Sequence, residues 1–394
     1  MSEFALSGNL WIGDGKAFAG HVVVAGGRIR AVKRERYRGR LPVVKCPGLS
    51  LSPGMIDLMV IGGFNKSLLR DDPLDLAREY VTLGVTACQF CTGTLPWKRM
   101  RQIADNVRCA RADSGTAARL LGVYWEGPFQ DPDLTGASLR EHSLPPTAKH
   151  VRRLLTDVGD VTTMINVSPG TPGDATAVKL LRQAGKVVSM AHSNADAARV
   201  LACLQAGTTV LGHVWDNNSG RIGDSGVQQP TIEHVALVDE RVRFIHLICD
   251  GTHVHPLMVQ LVLRCRGVEP ICLVTDACAR AGCPDGKFRW DDGRLFYKKD
   301  GVGRTDKGWL CGSALLLPDH LRNFVKFTGL PPHEAIRTVT SNPARSLGLD
   351  RQMGLLAPGR HADLVAWDDK LRVRCVWRGG KEIRVNSDIQ EVRL

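Results

Sequence analysis

The chain has 394 residues, 43% of them hydrophobic, which suits a globular enzyme with one large domain and a small one and excludes a disordered protein. Its net charge of +12 is dispersed, with short basic clusters only at Arg28 to Arg40 and Arg372 to Lys381 and no interleaved aromatics. A solvated basic surface that helps steer an anionic small molecule is therefore expected, and nucleic-acid binding is not. No apolar run approaches bilayer length, and Met1-Ser2-Glu3-Phe4-Ala5 lacks the pattern of a secretory leader, so a cytoplasmic protein without membrane contact is expected.

In chain order, the first fifty or so residues read as short strands and turns: Leu10-Trp11-Ile12, Gly13-Asp14-Gly15, His21-Val22-Val23-Val24 and Gly26-Gly27-Arg28-Ile29. From there, apolar runs recur near 55–61, 85–91, 119–125, 161–167, 187–191, 208–212, 244–249 and 271–275. Segments with helical apolar spacing separate them, such as Asp75 to Leu83, Ala175 to Ala184, Asp196 to Ala206 and Pro256 to Cys265. Eight such alternations predict an α/β fold, a (β/α)8 TIM barrel over 54–347. A doubly wound sheet is the rival, but it would not bring the ends of the third, fifth, sixth and eighth strands around one point. The last forty-five residues again read as strands, Ala362 to Trp367 and Val373 to Trp377, so 1–53 and 348–394 are expected to form one small β-sandwich domain.

The twelve cysteines are scattered through apolar stretches and read as small buried hydrophobes. In the single Cys-x-x-Cys, Cys88 and Cys91 lie on a β-like run, where side chains three apart point to opposite faces.

Four polar residues close four of the barrel strands. Glu126 follows Leu120 to Trp125, His192 follows Val187 to Ala191, His213 follows Thr209 to Gly212, and Asp276 follows Ile271 to Thr275. A TIM barrel keeps its chemistry at this rim. Two imidazoles, a carboxylate and an open position suit a catalytic divalent ion, zinc or iron, held by Glu126, His192 and His213. Asp276 is placed to act as general base, and an imidazole of the Asp250-Gly251-Thr252-His253-Val254-His255 run could contact a developing oxyanion.

Over nearly its whole length the chain resembles the N-acetylglucosamine-6-phosphate deacetylases of the amidohydrolase superfamily. The matching pieces are Leu51 to Asp57, Trp125-Glu126-Gly127-Pro128-Phe129, Ala191 to Ala195, Gly212-His213, Asp250 to Pro256 and Val274 to Ala277, then Cys311 to Ala314, Ser341 to Ala344 and Gly354 to Leu364. The resemblance implies that Glu126, His192 and His213 are the metal ligands, Asp276 the general acid/base and His253 the carbonyl-contacting residue. His255 is then a supporting residue at the base of the next helix, and Gly312 and Ser313 line the amide end of the substrate. It implies hydrolysis of N-acetylglucosamine 6-phosphate to glucosamine 6-phosphate and acetate, in a homodimer whose subunits complete each other's sites.

The departures from the family pattern surround the site. Met59 and Ile61 stand where a second metal would find ligands, so one ion per subunit is expected. Ser138 replaces a histidine that reaches the sugar, and Asp216 replaces an asparagine near the phosphate, followed by Asn217 and Asn218. Arg221 corresponds to the phosphate-binding arginine donated across the dimer, or else is a solvated loop residue. These changes keep open a non-phosphorylated or differently substituted N-acyl amine as substrate, and a catalytically silent barrel as a further alternative.

Overall fold

Strands that must bury both faces and helices that must bury one solve their packing together by closing into a ring. The computed structural model describes residues 3–216, 221–222, 226–289, 293, 295–306, 308 and 310–385. Its central strands are Met55–Val60 (β1), Val85–Thr92 (β2), Arg119–Trp125 (β3), Thr162–Asn166 (β4), Val187–Met190 (β5), Val210–Leu211 (β6), Phe244–Leu247 (β7) and Ile271–Leu273 (β8). They hydrogen-bond in that order as one eight-stranded sheet, and a parallel bridge between Val60 and Ala277 joins its two edges. This is the expected (β/α)8 barrel. Every residue of β1 and β2 is buried, as a parallel sheet covered on both faces requires.

The covering helices are Pro73–Val81 (α1), Trp97–Ala112 (α2), Ala148–Val158 (α3), Asp174–Gln183 (α4), Ala197–Ala206 (α5), Ile232–Val238 (α6), Pro256–Arg266 (α7) and Leu317–Thr328 (α8). Local chemistry fixes where they start. Asp72 accepts from the Leu74 amide at 2.8 Å ahead of Pro73, and Asp196 accepts from the Arg199 amide at 2.9 Å. His255 caps α7 in the same way, its Nδ1 accepting from the Leu257 amide at 3.2 Å before Pro256. No helix among the described residues is long and apolar enough to cross a membrane.

Both ends of the chain meet in a seven-stranded sheet. Phe4–Trp11, Ala17–Ala25, Arg28–Lys33 and Val43–Pro53 come from one end, and Leu364–Trp367, Val373–Arg378 and Lys381–Ile383 from the other. Leu364–Trp367 pairs antiparallel with Val43–Pro53, Leu364 opposite Pro53, and the sheet has its own apolar core around Leu6, Leu10, Val22, Leu51 and Leu364. A second addition follows β8, where Gly286–Arg289, Leu295–Lys299 and Val302–Thr305 form a small antiparallel sheet. No element was expected there, because its apolar residues are few and lie between Gly and Asp turns.

Asp363 clamps the terminal sheet to the barrel. Its buried carboxylate accepts from Arg119 Nε at 2.8 Å, Arg119 Nη2 at 3.3 Å and the Gly379 amide at 2.6 Å, with Arg378 Nη1 at 3.8 Å. Removing one member of a buried ion cluster leaves the others uncompensated. Asp363→Ala is therefore expected to destabilise the protein by about 3 kcal/mol, read as a lower denaturant midpoint; a midpoint equal to wild type would show the clamp to be dispensable.

Candidate metal centre

The ladder of β2 and β3 carries Glu126 to the rim, because Thr92 pairs with Trp125 and the Glu126 amide donates to the Thr92 carbonyl at 2.9 Å. Likewise the Gly212 amide donates to the Met190 carbonyl at 2.9 Å, which sets the ends of β5 and β6 side by side. The result is a buried group of Glu126, His192 and His213 whose ligand atoms all lie within 4.8 Å of one another. His213 Nε2 is 2.9 Å from Glu126 Oε1 and 3.1 Å from His192 Nε2, and His192 Nε2 is 3.7 Å from the same carboxylate oxygen.

Each imidazole is oriented from behind. His192 Nδ1 lies 2.7 Å from the Leu134 carbonyl and His213 Nδ1 lies 3.2 Å from the Asp216 carbonyl. A carbonyl accepts only, so each Nδ1 carries the hydrogen and each Nε2 turns a lone pair inward. Two lone pairs and a carboxylate at this spacing repel unless a cation lies between them. Glu126 Oε1 is moreover buried without a properly directed hydrogen bond. This donor set and its missing counter-charge fit one divalent ion.

Without the ion, a proton does its work. Burial pushes the His213 imidazole down, but contact with Glu126 outweighs it and raises the ring to about 10. Burial pushes Glu126 up, and the two imidazoles more than reverse this, holding it below the usual carboxylate range.

Asp276 closes the far side, and its carboxyl is raised well above the ordinary value by burial and then by the charge of Glu126. Its Oδ1 has no partner among the described residues. The segment is gripped from both sides: Ser313 donates its amide to the Asp276 carbonyl at 3.0 Å, and Gly312 is needed because a Cβ there would lie 2.3 Å from the same oxygen. Sequence reading gave no role to Asp57 and Thr275, which brace this segment. The buried Asp57 carboxylate accepts from Thr275 Oγ1 at 2.7 Å, linking the first and last strands, and burial pushes it up to about 6. An acid inside the apolar run Met55 to Val60 was the available signal. His253 Nδ1 lies 2.6 Å from Asp250 Oδ2; burial lowers the imidazole, Asp250 more than offsets this, and its value is raised.

These groups line a cavity of about 450 Å3, within the range usual for small-molecule sites. Glu126, His192, His213, His253, Asp276, Ser138, Asp216 and Gly312 all contribute to its wall. Ser313 does not; it is buried behind it. Arg221 lies in the two-residue strand Arg221–Ile222, paired with Gln228–Gln229, and its side chain, like the whole of Asn217, falls outside the described residues. Met59 is fully buried in an apolar cluster and Ile61 lines the cavity, so neither supplies a ligand atom. The wall also holds Arg70, Arg99, Arg280 and Arg289, which sequence reading passed over because single arginines carry no spacing signal.

The amidohydrolase family model matches residues 52–383. The chain is 33% identical over 336 residues to an N-acetylgalactosamine-6-phosphate deacetylase of Escherichia coli O157:H7, covering 84% of this chain and 87% of that protein. It is 28% identical over 359 residues to the N-acetylglucosamine-6-phosphate deacetylase of Vibrio furnissii, covering 90% and 88%. Among solved structures, a mutant N-acetyl-D-glucosamine-6-phosphate deacetylase of Mycobacterium smegmatis in complex with N-acetyl-D-glucosamine-6-phosphate superposes with a TM-score of 0.86 at 27% identity, covering 98% of this chain and 100% of that one. The Thermotoga maritima N-acetylglucosamine-6-phosphate deacetylase gives 0.83 at 27% identity, covering 97% and 98%.

The proton on the cluster makes metal uptake pH-dependent. With His213 raised to about 10, the metal-free cluster is protonated at neutral pH, and a divalent ion must displace that proton. Apparent zinc affinity of the stripped protein should rise about tenfold per pH unit between pH 6 and 8. Titration calorimetry at several pH values checks this; a flat profile would mean the imidazoles are already neutral.

Proposed function

The chain belongs to the amidohydrolase family, and we propose that it hydrolyses the acetamide of N-acetylglucosamine 6-phosphate to glucosamine 6-phosphate and acetate. The observation that carries this reading is the buried Glu126, His192 and His213 cluster beside Asp276 in one open cavity. The resemblance to deacetylases of 6-phosphorylated amino sugars over nearly the whole chain supports the substrate.

Glu126, His192 and His213 would hold one zinc or iron ion per subunit; two nitrogens and an oxygen suit either. When bound, the ion supplies Lewis-acid polarisation of the acyl oxygen and makes water more acidic. Asp276 takes the proton of the attacking water and returns it to the sugar nitrogen as the carbon–nitrogen bond breaks. Asp250 on Nδ1 favours the imidazolium form of His253, whose Nε2–H would donate to the acyl oxygen as negative charge develops there. Gly312, in the cavity wall, lets its segment pack against the Asp276 carbonyl, and Ser138 and Asp216 face the sugar from the wall.

Residues 54–347 form the catalytic barrel in this reading, and 1–53 with 348–394 a terminal β domain. A cytoplasmic setting accords with cysteines that are all unpaired. Association as a homodimer would cover Val238, at the end of α6, or Leu257, at the start of α7, large apolar side chains 82% and 65% exposed.

Asp276→Asn should lower kcat for acetate release by roughly 10^3, with KM and bound metal retained. Chelation should abolish turnover and added zinc or iron(II) restore it; normal turnover by stripped protein would refute the mechanism. For assembly, wild type should sediment as a dimer and a Val238→Asp, Leu257→Asp double variant as a folded monomer. A dimer unaltered by both changes would place the interface elsewhere.

A further inference from the structure

We infer that a second cavity, at the foot of the barrel, binds a small dianionic oxyanion, inorganic phosphate or a phosphate monoester, between the barrel and the terminal sheet. This goes beyond the deacetylase reading and does not depend on it.

The cavity measures about 290 Å3, room for one small ion or ester. Arg119 and Leu120, which open β3, line it, whereas Glu126 follows the other end of that strand. The extended chain from Arg119 to Glu126 spans about 20 Å, so a ligand this small cannot reach both places. The barrel side contributes Arg111, Ser114 and Arg119, and the C-terminal side contributes Gln352, His361 and Arg378. No aspartate or glutamate among the described residues lines the space.

The three guanidinium groups are fixed in place, each through two of its nitrogens. Arg111 donates Nε to the Leu120 carbonyl at 3.1 Å and Nη2 to the Leu121 carbonyl. Arg119 donates Nε and Nη2 to Asp363. Arg378 donates Nε to the Ala117 carbonyl at 3.0 Å and holds Nη1 3.8 Å from Asp363. Within the described residues, the third nitrogen of each remains, a donor on a guanidinium that has been oriented from behind. Asp363 sets one negative charge against three positive ones. Asp160, which also acts on Arg111, is gripped by Arg108 at 2.7 and 2.6 Å. A dianion closes the balance. His361 registers the excess: burial, and then the charge of Arg119, pushes its imidazole down to about 4. At pH 7 the ring is therefore neutral and adds an N–H donor without adding charge. Ser114 and Gln352 bring further neutral donors, and an oxyanion with several acceptor oxygens fits such a set.

The test titrates orthophosphate into zinc-loaded wild type, Gln352→Glu and His361→Glu by calorimetry. Each variant places a carboxylate in the cavity, and Gln352 is exposed, so replacing it removes no buried contact. Wild type should show a phosphate site that both variants weaken about tenfold or more. Added phosphate should also raise the Tm of wild type further than that of either variant. Equal isotherms in all three proteins would assign every bound phosphate to the rim cavity and overturn the inference. Repeating the titration with glucosamine 6-phosphate separates the two sources. Variant-sensitive binding tighter than that of orthophosphate identifies an ester, and tighter binding of orthophosphate identifies the free ion. If neither ligand shows variant-sensitive binding, the site does not exist. Turnover plays no part in this readout, so its failure would leave the deacetylase reading standing.

Discussion

A buried carboxylate and two imidazole lone pairs cannot share a space a few ångströms wide without a positive charge among them. That electrostatic requirement organises the site. The protein meets it with a proton when the cluster is bare, which is why His213 is raised to about 10, and a divalent ion meets it better because it satisfies three donors at once. The cost of holding the donors there is visible in the backbone. His192, His213 and Asp276 have φ of 53°, 20° and 47°, a region that residues with a Cβ rarely occupy and that costs about 1–3 kcal/mol each. Three such residues at three different strand ends persist only because the frame over-determines them.

That frame is the closed barrel, and its weakest seam lies beside the site. Between β1 and β8 the ladder reduces to the Val60–Ala277 bridge, and the hydrogen bonds from Thr275 to Asp57 take over. The seam therefore carries the residue preceding Asp276, and closure of the barrel and placement of the carboxyl are one event. The end of β1 adds no ligand: Met59 packs into the barrel core and Ile61 gives the cavity an apolar wall. A strand that supplied ligands in place of these side chains would trade core packing for a second charge to be balanced.

Much of this was legible from residue order, for a physical reason. Barrel strands are short continuous apolar runs, so β1 to β8 announced themselves to within a few residues, and a polar residue directly after such a run had one place to go. Glu126, His192, His213 and Asp276 were found by that logic. What stayed hidden depends on contacts between segments far apart in sequence. Asp57 and Thr275 are 218 residues apart, and Arg119 and Asp363 are 244 apart. Neither partner in such a pair has a local pattern that names the other. Nor did the strands Gly286–Arg289, Leu295–Lys299 and Val302–Thr305 stand out, because a small exposed sheet needs few apolar residues.

The floor and the wall of the cavity are built by different means, and this separates reaction from recognition. Backbone hydrogen bonds hold the floor: the Glu126 amide on Thr92, the Gly212 amide on Met190 and the Ser313 amide on Asp276, the last made possible by the missing side chain at Gly312. The wall residues Ser138, Asp216, Arg280 and Phe288 lie beyond the strands, on loops and the added sheet. Exchanging a wall side chain alters which groups of a substrate find a partner, yet leaves the ladders and the buried cluster untouched. A barrel arranged this way can change its preferred sugar substituent through single residues of the wall while a change at the floor stops the chemistry, since no other arrangement of the same strands supplies the missing donor.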